Sequence, residues 1–427
     1  MATQLLFVNA RQVVTCAGPA RARQGVEMSD ASVRTGVAVL VKAGHITAVD
    51  DERTLRQASP GAEIVDCAGG VLTPGFVDSH THAIFGRARY EEQELRAAGV
   101  PYMEIARRGG GIHASVRDLR ERSEDALFAL AEPRLRELAA HGVTTVEVKS
   151  GYGLSLDEEL KSLRVIARLA AALPMRVRAT WLGAHEIPLE FRERATGRRE
   201  YVDLLVHEML PVIARERLAS YADVFCEPGV FTVNESREIL EAARASGLQL
   251  KLHADELTAG GGAELAGELH ALSADHLAAV SDEGIAALAS AGTVATLLPG
   301  TMLFLGKRDH APARRMIDAG VAVALATDFN PGTSPTTNFP LILTLGVSQL
   351  RLSAGEALIA GTANGAGALG LAARVGQLSP GFSADLALWN VEDVRELPYW
   401  YGAGRCAASW ARGKPCHVHH LALTFPR

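Results

Sequence analysis

Apolar positions along this chain come in short runs whose spacing changes character twice. Up to residue 70 they alternate with polar ones, in Leu5 to Val8, Val37 to Val41 and Ile46 to Val49, and Lys42-Ala43-Gly44-His45 supplies a hairpin turn. This predicts a small antiparallel sheet. Over residues 71–370 apolar runs alternate instead with amphipathic stretches of helical period, such as Leu156 to Ala172 and Val233 to Ala245. Eight such runs end near Asp78, Val148, Trp181, Phe225, His253, Asp275, Leu297 and Thr327. Repeated βα units of this number predict an α/β fold, a (β/α)8 TIM-type barrel. After a helical stretch from Ala354 to Leu369 the strand pattern returns in Gly376 to Leu378 and Ala384 to Trp389, punctuated by Pro380-Gly381. Residues 1–70 and 371–427 are therefore expected to build one small β-sandwich beside a barrel spanning 71–370.

The polar residues that interrupt this pattern gather at one end of it. In a barrel of this kind the chemistry sits at the C-terminal ends of the strands. His80 and His82 follow the first predicted strand, one residue apart, so that both side chains can leave on one face and clamp one ion. His253 ends the fifth strand, His276 the sixth and Asp328 the eighth, so all five face one mouth. Imidazole and carboxylate ligands with an open position suit a metal that turns water into a nucleophile at neutral pH. Each histidine alone reads equally well as a core residue with a backbone partner; their joint placement favours the metal. Glu256, three residues after His253, adds a carboxyl group able to shuttle a proton or grip a ring nitrogen, while Asp255 reads as solvated or structural.

Composition narrows the partners. The 427 residues are 48% hydrophobic and 22% charged with a net charge of −6, which gives no footprint for nucleic acid or an anionic membrane. No apolar window approaches ~20 residues and no basic run precedes an apolar core at the start, so a cytoplasmic location is expected. The five cysteines are scattered without Cys-x-x-Cys spacing and read as free thiols. Arg192, Arg194, Arg198 and Arg199 interleave with Glu190, Glu193 and Glu200 as a solvated helix face, and Cys416-His417-Val418-His419-His420 reads as surface rather than a metal site.

The order His80-x-His82, His253, His276 and Thr327-Asp328 resembles the amidohydrolase superfamily. Several of its members use two metals bridged by a carboxylated lysine at the end of strand four. Here that strand reads Ala222-Asp223-Val224-Phe225-Cys226-Glu227, so the resemblance implies one metal ion per subunit, divalent or trivalent, with zinc or iron the expected identities. Lys149 follows strand two instead and reads as a salt-bridging or loop-holding lysine. Further pieces resemble one family within the superfamily, the imidazolonepropionases: Arg89, Tyr102, Gly109-Gly110-Gly111-Ile112, Ser150-Gly151-Tyr152-Gly153-Leu154, Gly183-Ala184-His185, His253-Ala254-Asp255-Glu256 and Asp328-Phe329-Asn330-Pro331-Gly332-Thr333-Ser334.

That resemblance implies hydrolysis of the cyclic amide of 4-imidazolone-5-propanoate to N-formimidoyl-L-glutamate in histidine degradation. Its metal ligands here are His80, His82, His253 and Asp328, and its catalytic groups His276, Glu256 and Asp328. Arg89, a planar fork that matches a carboxylate, is expected to grip the propionate, with Tyr102 adding a hydroxyl donor. Tyr152, His185, Glu256, Asn330, Gly332 and Thr333 are expected to line the substrate, His185 as a donor to the developing oxyanion. A homodimer is the default assembly. Two rival readings are a metal-dependent heterocycle deaminase, against which Arg89 argues, and a non-catalytic metal-dependent binding module.

Overall fold

The computed structural model describes residues 4–100, 104–105 and 109–419. Eight parallel strands form the central sheet in sequence order: Phe76–Asp78, Val143–Lys149, Arg176–Ala184, Tyr221–Cys226, Gln249–Ala254, Ser273–His276, Val294–Leu297 and Val323–Leu325. The expected strand ends all fall within a few residues of these. The amphipathic stretches form helices over Leu156–Ala172 and Val233–Ala245, the second opened by a reciprocal cap between Thr232 and Glu235. These helices bury their apolar stripes, such as Leu163, Ile166 and Leu169, against the sheet, whose strands are buried along nearly their whole length.

The first and eighth strands close the ring through their continuations. The Asp328 N–H donates to the His80 carbonyl (3.0 Å) and the His82 N–H to that of Phe329 (2.8 Å). Asp78 reinforces the seam, its buried carboxylate accepting from the Thr327 N–H at 3.0 Å and the Thr327 hydroxyl at 2.6 Å. Closure thus brings His80, His82 and Asp328 to the same place.

Two further sheets form the second layer. A four-stranded sheet runs His45–Asp51, Val37–Lys42, Gln4–Val8, Glu63–Asp66; a six-stranded sheet runs Lys414–Val418, Cys406–Ala411, Leu386–Trp389, Val71–Pro74, Gln12–Val14, Val33–Arg34. Leu5, Phe7, Val39 and Val41 of the first pack against Leu72, Leu386, Leu388 and Trp410 of the second, so both ends of the chain do share one sandwich. Three details differ from the sequence reading. The first sheet is mixed, because Gln4–Val8 pairs in parallel with Glu63–Asp66. Val71–Pro74, placed by the sequence at the start of the barrel, pairs with Leu386–Trp389 in the sandwich. Gly376 to Leu378 is not a strand: Gly376 sits at a φ of +86°, outside the extended range a ladder requires.

Sandwich and barrel are packed through aromatic rings. Trp389 lies 5.1 Å from Phe76 at the start of the barrel and donates its indole N–H to Thr73. Gly142, at a φ of +84°, leaves room for that indole; a Cβ there would sit 2.5 Å from it.

Candidate metal centre and substrate pocket

The mouth of the barrel gathers the histidines at short range. Nε2 of His82 lies 3.3 Å from Nε2 of His80 and 3.4 Å from that of His253. Oδ1 of Asp328 is 3.5 Å from His80 Nε2 and 3.6 Å from His82 Nε2. Ligand atoms of His80, His82 and His253, and likewise of His80, His276 and Asp328, all fall within 4.8 Å of one another. His276 Nε2 stands 3.6 Å from a Glu256 carboxylate oxygen.

These nitrogens have no reason to converge on each other. Neutral imidazoles with their Nε2 lone pairs aimed at a common point repel one another, and a cation at that point removes the repulsion. The far nitrogens support this orientation. His80 Nδ1 is 2.6 Å from Asp275 Oδ2, and His253 Nδ1 is 3.0 Å from Asp223 Oδ2, the carboxylate–histidine arrangement that directs Nε2 toward a metal. Burial, first, and the neighbouring cationic groups hold His80, His82 and His276 well below the usual histidine range, which keeps them neutral. The donor set therefore fits a divalent metal.

Beneath the ligands lies a buried layer of charge that the sequence reading passed over. The Lys149 ammonium is 2.6 Å from Glu147, 2.8 Å from Asp223 and 3.8 Å from Asp275, all at zero exposure. Lys251 adds a contact of 3.5 Å to Asp275. Lys149 is thus a salt-bridging residue, as expected, with the further consequence that it ties together the two carboxylates orienting His80 and His253. The signal was available in the sequence: charged residues inside otherwise apolar barrel strands, as in Glu147-Val148-Lys149 and Ala274-Asp275-His276.

The backbone bends sharply where these strands end. Asp255, His276, Leu277 and Asp328 adopt φ of +49°, +78°, +61° and +52°. Non-glycine residues held in the left-handed region cost of order 1–3 kcal/mol each, and the surrounding structure must over-determine them. Asp255 shows how: its carboxylate accepts from the N–H groups of Gly260, Gly262 and Ala263, which pins the turn carrying Glu256. Burial, with the nearby Asp328 charge second, pushes Glu256 up to about 8, so it can hold a proton at neutral pH.

On one side of the mouth Arg89 is buried at 8% exposure. Its Nε is 3.5 Å from Glu92 and its Nη1 3.5 Å from the Ser115 hydroxyl, both too long to consume the guanidinium. Glu92 also accepts the Gly111 N–H at 2.7 Å, so the triple-glycine loop wraps the carboxylate that faces Arg89. Gly332 lies directly against the guanidinium. Asn330 and Thr333 occupy this loop but are spent within it: the Asn330 amide oxygen accepts from the N–H groups of Gly332 and Thr333, and its NH2 donates to the Asp328 carbonyl and the Thr333 hydroxyl. Tyr102 and His420 lie outside the described residues.

His185 and Tyr152 stand beside His82. The His185 ring stacks 5.1 Å from that of His82, and Tyr152 lies 5.3 Å from His185 and 5.9 Å from His82. His185 Nδ1 donates to the Gly151 carbonyl at 2.9 Å. His417 and His419 stand with ring centres 6.4 Å apart at the edge of the sandwich, and they belong to no ligand cluster among the described residues.

Residues 103–415 match the model of the amidohydrolase family. The chain is 46% identical over 415 residues to an imidazolonepropionase of Geobacillus kaustophilus, covering 96% of this chain and 97% of that one. It is 49% identical over 415 residues to an imidazolonepropionase of Symbiobacterium thermophilum, covering 96% of each. Among solved structures, a zinc-bound adenosine deaminase from Xanthomonas campestris superposes with a TM-score of 0.74 at 20% identity, over 97% of this chain and 93% of that one. The guanine deaminase of E. coli gives 0.74 at 15% identity over 98% and 100%; at these identities the likeness is one of fold.

Proposed function

The chain belongs to the imidazolonepropionases of the amidohydrolase family, hydrolases that open the cyclic amide of 4-imidazolone-5-propanoate to N-formimidoyl-L-glutamate, and from that premise we propose how its residues divide the work. His80, His82, His253 and Asp328 hold one metal ion, zinc or iron, both of which accept imidazole and carboxylate donors. When bound, the metal supplies the Lewis acidity that makes water a nucleophile at neutral pH. Arg89 receives the propionate and fixes which carbon of the ring meets the water. Asn330 and Thr333 build the turn that presents Gly332 to Arg89, and Tyr152 walls the ring.

In the net reaction a water oxygen bonds to the lactam carbonyl carbon, the ring C–N bond breaks, and the proton lost by the water ends on the departing nitrogen. His276, neutral and 3.6 Å from Glu256, is placed to accept that proton, and Glu256, whose carboxyl holds a proton near neutral pH, to return one to nitrogen. Asp328 shares its charge between the ligand cluster and the Thr301 hydroxyl, 2.5 Å from Oδ2, which holds it in place.

The observation that carries this reading is the under-used buried guanidinium of Arg89 in the same mouth as the histidine cluster, since a neutral heterocycle would leave that cation only its long 3.5 Å contacts to Glu92 and Ser115. Turnover of imidazolonepropionate, lost on chelation and restored by zinc or iron, tests it; ammonia release from purines or pyrimidines with no turnover of imidazolonepropionate overturns it. We place the enzyme in the cytoplasm and assign it a two-fold homodimer, for which a 45 kDa species alone in sedimentation is the contrary result. No helix among the described residues is long and apolar enough to cross a membrane.

A further inference from the structure

Glu159 is fully buried in the first turn of the helix Leu156–Ala172, away from the ligand cluster, and it forms no ion pair among the described residues. Its carboxylate is instead filled by the preceding loop. It accepts from the N–H groups of Gly151 at 3.1 Å, Gly153 at 2.8 Å and Leu154 at 3.0 Å, and from the Ser150 side chain. Ser150 Oγ in turn accepts the Leu182 N–H at 3.0 Å, so the loop is tied to the third barrel strand that ends just before His185. Gly151 sits at a φ of +98°, and a Cβ there would be 3.0 Å from His185 Nδ1. A single buried carboxylate thus pins the two peptides that flank the one whose carbonyl meets His185.

That contact decides the tautomer. A carbonyl oxygen can only accept, so the Nδ1 facing it at 2.9 Å carries the hydrogen. A neutral imidazole has one N–H, which leaves Nε2 with its lone pair. Nε2 makes no hydrogen bond among the described residues, and the ring borders the ligand cluster, 5.1 Å from His82 and 5.9 Å from His253. We propose that Glu159 is a positioning residue which, through Gly151, fixes His185 with its proton on Nδ1, so that Nε2 accepts a hydrogen bond from the lactam N–H of the substrate. This replaces the role expected from sequence, a donor to the oxyanion, because a nitrogen bearing a lone pair cannot donate. It rests on the lactam substrate proposed above.

The test has two arms. In the first, nitrogen spectra of the holoenzyme labelled with 15N-histidine read the ring directly, with His185 assigned by its loss in His185→Phe. The expected wild-type pattern has Nδ1 protonated and Nε2 bare; a proton on Nε2 overturns the proposal. Glu159→Gln, in which an amide NH2 meets backbone N–H groups, is expected to mix the tautomers and raise KM about tenfold while metal content stays and kcat changes little, the worth of one buried hydrogen bond. A folded variant with unchanged tautomer and unchanged KM removes Glu159 from the proposal and overturns it. In the second arm, which needs no Glu159 variant, an imidazolone methylated on the lactam nitrogen is compared as a competitive ligand with the unmethylated ring. Wild type should bind it about tenfold more weakly and His185→Phe should not discriminate beyond the steric difference; equal discrimination by both proteins overturns the acceptor role. Absence of any turnover of imidazolonepropionate defeats the function reading instead, and the tautomer spectrum distinguishes the two failures.

Discussion

The Arg89 guanidinium occupies the space that any side chain at Gly332 would need: a Cβ built there would overlap Nη2, Cζ and Nε together. The Arg89 N–H also donates to the Pro331 carbonyl at 3.2 Å, so the loop after the eighth strand and the loop after the first are joined at this residue. The pocket proposed for the propionate is therefore assembled by the same seam that closes the barrel.

Gly332→Ala should displace the guanidinium and mimic a weakened Arg89. Arg89→Met removes a charge-assisted pair worth about 1.5–3 kcal/mol, so KM should rise at least about tenfold with metal content unchanged, and lysine should rescue only in part because its ammonium lacks the fork. Both substitutions should matter little for a ring without the propionate tail. Steady-state kinetics on the two substrates decide the point, and equal damage to both would mean that Arg89 holds structure rather than substrate.

His253→Ala should lose most bound metal and nearly all hydrolysis while the barrel stays folded, because one ligand goes while Asp223, 3.0 Å from the lost Nδ1, keeps Lys149 and the backbone N–H of residue 253 as partners. Metal analysis after dialysis, with circular dichroism on the same sample, reads both. Full activity of a chelated preparation with substoichiometric metal would contradict the metal-dependent reading.

The barrel was legible in the sequence because its strands and helices differ in period, and the clustering of the histidines because they stand at strand ends. What escaped depended on pairing between distant segments. Asp223 sits two residues inside the fourth strand, and nothing local says that it lies beneath His253; the parallel register that sets Asp223 opposite Lys251 and Phe225 opposite His253 makes it so. Glu159 reads locally as an acid favoured at a helix start, yet its partners are three N–H groups and the Ser150 side chain of a loop whose course the sequence does not reveal. Val71–Pro74 shows the same limit in the fold, since an apolar strand fits a barrel or a sandwich equally well until its neighbour, Leu386–Trp389, is known.

The cysteines should be nearly inert in the folded protein. Burial pushes Cys16, Cys67, Cys406 and Cys416 up to about 12 and Cys226 to about 11, so at pH 8 the reactive thiolate is scarce, and only Cys416 is partly open to solvent. Iodoacetamide at pH 8 should label the native chain at less than one site in the time it labels all five in denaturant. Rapid native labelling accompanied by loss of activity would show a reactive thiol at the site.

Glu256→Gln separates chemistry from binding. The amide keeps the size of the side chain and can still hydrogen-bond, but it cannot give up and regain a proton. If Glu256 carries the proton to the departing nitrogen, kcat should fall by ~10² or more with KM nearly unchanged, the opposite pattern to Arg89→Met. The position of Glu256 supports this, with its carboxyl 3.6 Å from His276 and raised to about 8, so that it is mostly protonated at pH 7 and loses that proton as pH rises through 8. Wild-type kcat should therefore decline on the alkaline side, and the residual activity of Glu256→Gln should lack that decline. A variant that retains the alkaline limb, or one in which KM rises while kcat holds, would assign Glu256 to gripping the ring and leave proton transfer to His276 and Asp328.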